Sequence, residues 1–211
     1  TAVLIPGTGV DLDQFHPRRD LSEAPPVVLF PARLIGEKGV REFVDAARRL
    51  SHDGIGARCV LAGRLDPENP SHVDAGTIAA WVREGCVENW GFSDDMPATL
   101  RRADVVCLPS YREGSPRSLI EALATGLPIV TTDTVGCRDM VRDGGNGYLV
   151  PVGDGTATAA ALAKLLKDPD LRARMGQQSR EMAEQAYGVD QFTDQTFAVY
   201  RQVIPLPAEP Q

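Results

Sequence analysis

The amino-acid sequence predicts an α/β fold with a doubly wound parallel sheet, and three observations support this prediction. Short runs of Val, Leu and Ile recur along the chain. These runs are apolar throughout, which is typical of parallel strands covered on both faces. Segments with the periodicity of amphipathic helices lie between them. A chain in which strand and helix alternate forms βαβ units, and 211 residues are enough for one such domain with a sizeable core.

Six apolar runs are the candidate strands. Each is bounded by turn residues or by a segment with helical periodicity. An earlier strand-like piece, AVLIPG (2–7), cannot by itself form a second domain. In chain order the six runs are VVLFPA (27–32), ARCVLAG (57–63), VENWG (87–91), DVVCLPS (104–110), LPIVTTD (127–133) and GYLVPV (147–152).

The candidate helices carry apolar stripes at helical spacing. One of them ends at Gly126, with Pro128 just beyond it, which is a usual helix stop. Another is expected to break at Asp168-Pro169, because proline cannot continue a helix. The tail 205–211 is expected to be disordered. The helical segments are 39–50, 75–85, 118–126, 156–186 and 189–204.

Charge and cysteine content narrow the class of protein. The net charge is −7 and no long Lys/Arg stripe is present, which argues against nucleic-acid binding. The four cysteines contain no C-x-x-C pair, so we expect free structural thiols in a reducing compartment. No signal peptide and no apolar run of transmembrane length is visible. In keeping with free thiols, we expect the protein in the cytoplasm. The chain starts with Thr1 instead of methionine, which suggests a piece of a longer protein.

Two cations follow the first strand. In a doubly wound sheet, ligands bind beyond the carboxyl ends of the strands, and Arg33 and Lys38 stand at that point. Two cations that flank a glycine at the start of a helix suit a diphosphate, together with the free amides of the helix. The alternative is a solvated loop with two surface cations.

Two carboxylates surround a turn after the fourth strand. Glu113 is followed by Gly114, Ser115 and Pro116, and then by a helix that carries Glu121. Proline fixes the start of the helix, and glycine lets a ligand approach the main chain closely. One carboxylate would accept hydrogen bonds from a sugar and the other from a ribose diol. The alternative is that Glu113 caps the helix and that Glu121 lies on its surface.

The segment 109–150, PSYREGSPRSLIEALATGLPIVTTDTVGCRDMVRDGGNGYLV, resembles the signature of the family 4 retaining glycosyltransferases of GT-B fold. That signature contains a Glu-x7-Glu element. FPARLIGEKGV (30–40) resembles the family's GRL-x-x-x-KG element, and LIPGTGVDLDQFHP (4–17) resembles its interdomain segment. The resemblance covers almost the whole chain, in the family's order and spacing.

This resemblance implies roles for individual residues. Arg33 and Lys38 would bind the donor diphosphate and stabilise the charge that builds on the leaving nucleotide. Glu113 would contact hydroxyls of the transferred sugar, and Glu121 the ribose hydroxyls. The family needs no metal or other cofactor, and the sequence contains no Asp-x-Asp element and no histidine cluster. Backbone groups of Gly114, Ser115, Pro116 and Arg117 would contact sugar and phosphate, and those around Trp90, Gly91 and Phe92 would line the base pocket.

The resemblance also implies a domain plan and a reaction. It maps to the C-terminal half of a GT-B fold, with an interdomain segment (1–24), a Rossmann-like donor-binding domain (25–188) and a helix (189–204) that crosses toward an N-terminal domain. The donor would be a UDP-, GDP- or ADP-sugar. A hexose would pass to a glycan or lipid-linked acceptor, as in polysaccharide biosynthesis. Without the N-terminal domain we expect donor binding but little transfer, and membrane association only through that missing domain.

The sequence departs from the family pattern at three places. PGTGVD stands where PNGVD is common, and Asp139 stands where glutamate is frequent. Gly63-Arg64-Leu65 replaces the common GDG, so Arg64 is a further candidate cation near the phosphates.

Three other functions remain open at this point. A dinucleotide-dependent oxidoreductase would share the fold class, with Gly7-Thr8-Gly9 as its phosphate loop, although Leu12 stands where a third glycine or alanine belongs. A nucleotide-sugar epimerase of GT-B architecture would bind similar ligands. A module that binds a nucleotide sugar without catalysis is the third.

Overall fold

The structure, a computed structural model, describes residues 8–18 and 25–203. The strand-like piece 2–7, the end of the predicted linker and the predicted tail 205–211 lie outside these residues.

The core is a six-stranded parallel sheet in the order β3-β2-β1-β4-β5-β6. Every predicted strand is confirmed, each shorter than its apolar run. The doubly wound α/β fold predicted from the sequence is therefore confirmed. The strands are β1 (Val27–Phe30), β2 (Arg58–Leu61), β3 (Glu88–Asn89), β4 (Val105–Leu108), β5 (Ile129–Thr132) and β6 (Gly147–Val150).

The central strands are buried along their whole length. Every residue of β1, β4 and β5 is buried, whereas the edge strands β3 and β6 are partly accessible. This difference explains why continuous apolar runs mark the central strands, because both of their faces are covered. Phe30 of β1 and Phe43 of the first helix pack with ring centroids 5.4 Å apart.

Seven α-helices are found in the described residues. The break at Asp168-Pro169 is confirmed, since one helix ends at Lys167 and the next begins at Pro169. The six-residue helix α3 and the 3₁₀ turns Gly36–Lys38 and Arg138–Met140 were not predicted, because pieces this short show no periodicity. The helices are α1 (Val40–His52), α2 (Ala75–Arg83), α3 (Met96–Arg101), α4 (Arg117–Ala124), α5 (Gly155–Lys167), α6 (Pro169–Ala186) and α7 (Val189–Val203).

The strand order fixes where a ligand can bind. β1 and β4 are direct neighbours, with Val28 opposite Val105 and Leu29 opposite Val106. The order reverses between these two strands, so the connections after them leave the sheet side by side. The loops that carry Arg33, Lys38 and Glu113 therefore meet at one crevice.

The described part of the candidate phosphate loop of an oxidoreductase, Thr8-Gly9, packs against the start of α7. Val10 donates its N–H to the carbonyl of Tyr187 (2.8 Å) and accepts from Val189 N–H (3.0 Å), so this segment pairs with the start of α7. A Cβ on Gly9 would lie 2.5 Å from Val189 Cα. Gly9 is thus part of a packing contact and does not stand between a strand and a helix; Gly7 lies outside the described residues.

The cysteines agree with the prediction of free thiols. All four cysteines are free, and burial raises the pKa of the Cys59 thiol to about 12. Cys107 is fully buried in β4, and its pKa is also raised by burial. The histidines, His16, His52 and His72, are exposed.

The last helix exposes apolar side chains. Phe197 and Tyr200 of α7 are each 53% exposed. In the described part of the chain, no helix combines the length and apolar character needed to cross a membrane.

Candidate functional site

Hydrogen bonds join the two loops that border the crevice beyond β1 and β4. The carbonyl of Glu37 accepts from the Ser110 hydroxyl at 3.1 Å and from the Tyr111 N–H at 2.9 Å. Ser110 is fully buried, so its hydroxyl needs this acceptor. The 3₁₀ turn that contains Lys38 is therefore fixed to the loop that contains Glu113.

Lys38 and Glu113 form an ion pair across this crevice. Lys38 Nζ lies 2.6 Å from Glu113 Oε1, and the two side chains are only 21% and 10% exposed. The sequence predicted both residues for the site from separate loops, and the structure brings them into contact. Glu113 does not cap a helix, since the N-cap of α4 is Pro116.

Arg33 pairs with a carboxylate that the sequence did not single out. Its Nη1 lies 2.6 Å from Asp66 Oδ2, with the two side chains 47% and 25% exposed. Asp66 stands in the loop after β2, so the rule of strand carboxyl ends pointed to its neighbourhood. Nothing in the sequence indicated that it meets Arg33.

Glu121 is buried, which excludes the alternative of a surface residue. It is 7% exposed, and its Oε1 accepts from Arg117 Nε at 2.9 Å. Burial raises the pKa of the Glu121 carboxyl, and the Arg117 guanidinium partly offsets this. A carboxylate held in this environment is a common mark of a functional site.

A cavity of about 200 Å³ joins two of these groups, and Lys38 and Glu113 are not in its lining. Arg33 and Glu121 both line it, with Ser118 of α4 nearby. Arg64 and Phe92 form another part of the wall, and the Arg64 guanidinium lies 5.5 Å from the centre of the Phe92 ring. The cavity therefore offers one carboxylate, two cations and an exposed aromatic ring.

Some predicted ligand contacts lie outside this cavity. Trp90 and Gly91 do not line it, and the Trp90 indole N–H donates to Glu88 Oε2 at 3.1 Å. The Arg102 guanidinium lies 3.6 Å from the centre of the Trp90 ring, so this side chain is already occupied. Backbone contacts from Trp90 and Gly91 to a base stay a prediction.

Helices α1 and α4 begin at the crevice without side-chain caps. α2, α3, α5 and α6 each begin with an aspartate whose side chain accepts from the first turn. α1 begins after Gly39 and α4 after Pro116, and neither residue supplies a cap. The first amides of these two helices thus have no side-chain cap, and the positive end of a helix favours an anion.

Two glycines allow the close packing of these loops. Gly39 has φ of 75°, and a Cβ there would lie 2.0 Å from the Pro109 carbonyl oxygen. Gly136 has φ of 82°, and a Cβ there would lie 2.4 Å from the Gly114 carbonyl oxygen and 2.6 Å from that of Glu113. The loop after β5 thus supports the turn 113–114 from behind. On Gly114 itself a Cβ would meet no atom within 4 Å, so space remains for a ligand.

These groups suit a ligand with both phosphates and hydroxyls. Cations and helix amides can bind phosphate oxygens, while the carboxylates of Glu113 and Glu121 can accept from hydroxyls. Ser115 and Arg117 are exposed at the same turn and could contact such a ligand. Within residues 8–18 and 25–203, no cluster of three or more His, Cys, Asp or Glu side chains could bind a metal ion.

A family model and the curated relatives that match this chain all describe glycosyltransferases. The sequence model of the family "Glycosyl transferases group 1" matches residues 12–182. An N-acetylgalactosaminyltransferase of Campylobacter jejuni, which acts on N,N'-diacetylbacillosaminyl-diphospho-undecaprenol by its name, is 30% identical over 86% of this chain and 50% of its own length. The alpha-D-kanosaminyltransferase of Streptomyces kanamyceticus is 28% identical over 84% of this chain and 46% of its own. The chain therefore spans about half the length of the curated relatives it matches.

Solved structures share the fold. Sucrose-phosphate synthase of Thermosynechococcus elongatus superposes with a TM-score of 0.83 at 27% identity, over 93% of this chain and 51% of its own. HepE of Anabaena, solved in complex with UDP, superposes with a TM-score of 0.79 at 21% identity, over 92% of this chain and 56% of its own.

Proposed function

Because the chain belongs to the group 1 glycosyl transferases, we propose that its sheet domain binds the nucleotide-sugar donor of a retaining, metal-independent hexosyltransferase. The proposed donor is a UDP-, GDP- or ADP-sugar. The bond between sugar C1 and the diphosphate oxygen breaks, and the diphosphate leaves with the electron pair. A hydroxyl oxygen of the acceptor forms the new bond to C1, and the proton of that hydroxyl passes to the departing diphosphate.

The burial of Glu121 is the observation that carries this proposal. Glu121 is 7% exposed, and burying a carboxylate costs free energy unless the group has a full set of hydrogen-bond or ionic partners. Buried carboxylates of this kind are found mainly at functional sites. In the described part of the chain its side chain has one hydrogen bond, from Arg117 to Oε1. Oε2 is left to accept from a ligand, and a ribose diol supplies two such donors.

The diphosphate belongs at the uncapped helix starts in this proposal. Arg33 precedes the 3₁₀ turn Gly36–Lys38 that leads into α1, Lys38 is the last residue of that turn, and α4 begins after Pro116. Once the donor is bound, these cations and the helix amides stabilise the charge that develops on the leaving diphosphate. This electrostatic stabilisation needs no metal ion.

Glu113 is assigned to the hydroxyls of the transferred sugar. Its Oε1 is held by Lys38, which fixes the carboxylate next to the cation that receives the diphosphate. The ion pair of Lys38 and Glu113 would therefore bind both the leaving diphosphate and the sugar of the donor. A hydrogen bond to an ionised carboxylate is stronger than one between neutral groups, which favours this arrangement for positioning.

The comparisons support the ligand classes. UDP is bound by HepE, which has the same fold, and the Campylobacter relative is named for a lipid-linked saccharide acceptor. We extend these to the present chain as a nucleotide-sugar donor and a glycan or lipid-linked acceptor. The acceptor would bind mainly to the part of the protein outside this chain, in the cytoplasm or at the inner face of a membrane.

A structure of the chain with bound UDP, GDP or ADP tests the proposal. We expect ribose hydroxyls within hydrogen-bond distance of Glu121 and phosphate oxygens at Arg33 and Lys38. A nucleotide bound elsewhere, with an empty crevice beyond β1 and β4, would overturn it.

A further inference from the structure

Asp66 forms an ion pair with Arg33, whose guanidinium the proposed function assigns to the donor diphosphate. Its Oδ2 accepts from Arg33 Nη1 at 2.6 Å. Lys38, which the proposed function also assigns to the diphosphate, is paired as well, but its partner Glu113 has a role of its own in the proposed reaction. Asp66 has none, and it does not line the cavity itself.

The loop that presents Asp66 is fixed by bonds that do not involve its carboxylate. Asn69 N–H donates to the Asp66 carbonyl at 3.0 Å, and Asn69 Oδ1 accepts from both the N–H and the hydroxyl of Ser71 at 2.8 Å. The Ser71 carbonyl in turn accepts from Gly36 N–H at 2.7 Å, at the start of the turn that leads to Lys38. Asp66 therefore stays beside the phosphate site whether or not its ion pair with Arg33 is formed.

A diphosphate and Asp66 compete for the same cation. Asp66 accepts from one of the five N–H donors of Arg33 and offsets part of its positive charge, so a phosphate oxygen must share this guanidinium with Asp66 or displace it. In either case a negative carboxylate stands close to a negative ligand. The cost of that repulsion rises with the charge that the ligand carries.

We propose that Asp66 is an affinity-setting residue that pairs with Arg33 and opposes the binding of phosphate-bearing ligands. This inference rests on the proposed function of the crevice. Asp66 weakens the binding of a nucleoside diphosphate, and hence the retention of the diphosphate that the reaction would release. It acts through Arg33 and through its own charge and contacts no reacting atom.

Calorimetric titration of the full chain and of the variant Asp66→Asn tests this with three probes, UDP, UMP and uridine, or the corresponding guanine or adenine series if UDP does not bind. We expect UDP to bind about three- to thirtyfold more tightly to Asp66→Asn. The variant removes one negative charge close to the diphosphate, and solvent and salt screen part of the repulsion between them. UMP should gain less and uridine nothing. Asp66→Glu keeps the charge and should retain the affinity of the natural chain within about threefold.

A matched control separates local from global charge. Glu84→Gln makes the same change in net charge by removing an exposed carboxylate paired with Arg48, outside the cavity lining. It should leave the affinity for UDP unchanged. Equal tightening in Glu84→Gln and Asp66→Asn would overturn a specific role for Asp66.

Other outcomes are also decisive. Weaker binding of UDP to a folded Asp66→Asn would mean that Asp66 orients Arg33 for the ligand, and unchanged binding would mean that it does neither; both overturn the inference. If Asp66→Asn unfolds, Asp66→Ser provides the same comparison. Failure of the natural chain to bind any of the nine probes would instead count against the proposed function.

Discussion

Lys38 Nζ and Glu113 Oε1 lie 2.6 Å apart and connect the loop after β1 with the loop after β4. In sequence these residues are separated by 75 positions. The pair therefore depends on the neighbouring positions of β1 and β4 in the sheet. It joins the proposed diphosphate cation to the proposed sugar-binding carboxylate.

Replacing Lys38 with methionine should reduce both stability and nucleotide binding. The substitution leaves Glu113, whose side chain is 10% exposed, without its partner, so the free energy of unfolding should fall by about 1–3 kcal/mol. Urea unfolding measures this loss, and calorimetry measures the accompanying loss of UDP, GDP or ADP affinity. Glu113→Gln is the matched control, because it keeps the cation and should keep most of the diphosphate affinity. Undiminished nucleotide binding by a folded Lys38→Met chain would remove Lys38 from the site.

Replacing Glu121 with alanine should weaken nucleotide binding through the ribose. Loss of hydrogen bonds to a charged acceptor should cost about 1–3 kcal/mol of binding free energy, or about five- to 150-fold in Kd. The corresponding 2′-deoxynucleotide tests the cause, since it should bind more weakly than the ribonucleotide to the natural chain. In Glu121→Ala the two ligands should bind alike. If the variant still prefers the ribonucleotide to the same degree, Glu121 does not contact that hydroxyl.

The stability of the chain should depend on the protonation of Glu121. Burial raises the pKa of this carboxyl in the folded state, so the folded chain binds the proton more tightly than the unfolded chain does. Its contribution to stability is therefore fully present below the ordinary carboxyl pKa and is lost as pH rises through the raised value.

The neutral variant Glu121→Gln isolates this effect. It should be more stable than the natural chain at pH 7, and the difference should disappear as the pH falls below the ordinary carboxyl range. Chemical unfolding of both chains over a pH series provides the measurement. A glutamine variant that is less stable at pH 7 would show that the Arg117 pair outweighs the cost of burial.

Replacing Gly136 with alanine should disturb the turn at Glu113. The new Cβ would lie 2.4 Å from the Gly114 carbonyl oxygen and requires φ of 82°. We expect a loss of about 2–4 kcal/mol in the free energy of unfolding, from the left-handed backbone and the clash together.

Gly54 offers a matched control for this substitution. Its φ is 70°, and a Cβ there would meet nothing within 4 Å, so Gly54→Ala carries the backbone cost alone, about 1–2 kcal/mol. Thermal or urea unfolding of the two variants should show Gly136→Ala to be the less stable. Equal losses would mean that the loop after β5 does not support the turn.

The sequence was sufficient for the sheet because its strands are continuous apolar runs. Covered on both faces, β1, β4 and β5 leave an unambiguous pattern, and the helix break at Pro169 follows from proline chemistry. Helix α3 was missed because six residues are too few to show a stripe. The position of the crevice follows from the strand order. The alternation of strand and helix predicts a doubly wound sheet but does not give the order of its strands.

The ion pairs of the site could not be predicted in the same way. The burial of Glu121 depends on how the loops pack above α4, and a helix sequence alone does not report this. The contact of Asp66 with Arg33 joins the loop after β2 to the loop after β1, 33 positions apart in sequence, and no local pattern reports it. The hydrogen bond from Gly36 N–H to the Ser71 carbonyl joins the same two loops. Trp90 was expected near a base through its backbone, but its ring is stacked against Arg102 by contacts that no motif records.

Calorimetric titration of this chain with UDP, GDP and ADP, with and without a chelator, tests the central claim most directly. We predict that at least one diphosphate binds, that the chelator leaves its affinity unchanged, and that replacing Arg33 and Lys38 together with alanine abolishes binding in a chain that still folds. Binding that survives the double replacement, or that vanishes with the chelator, would contradict the account.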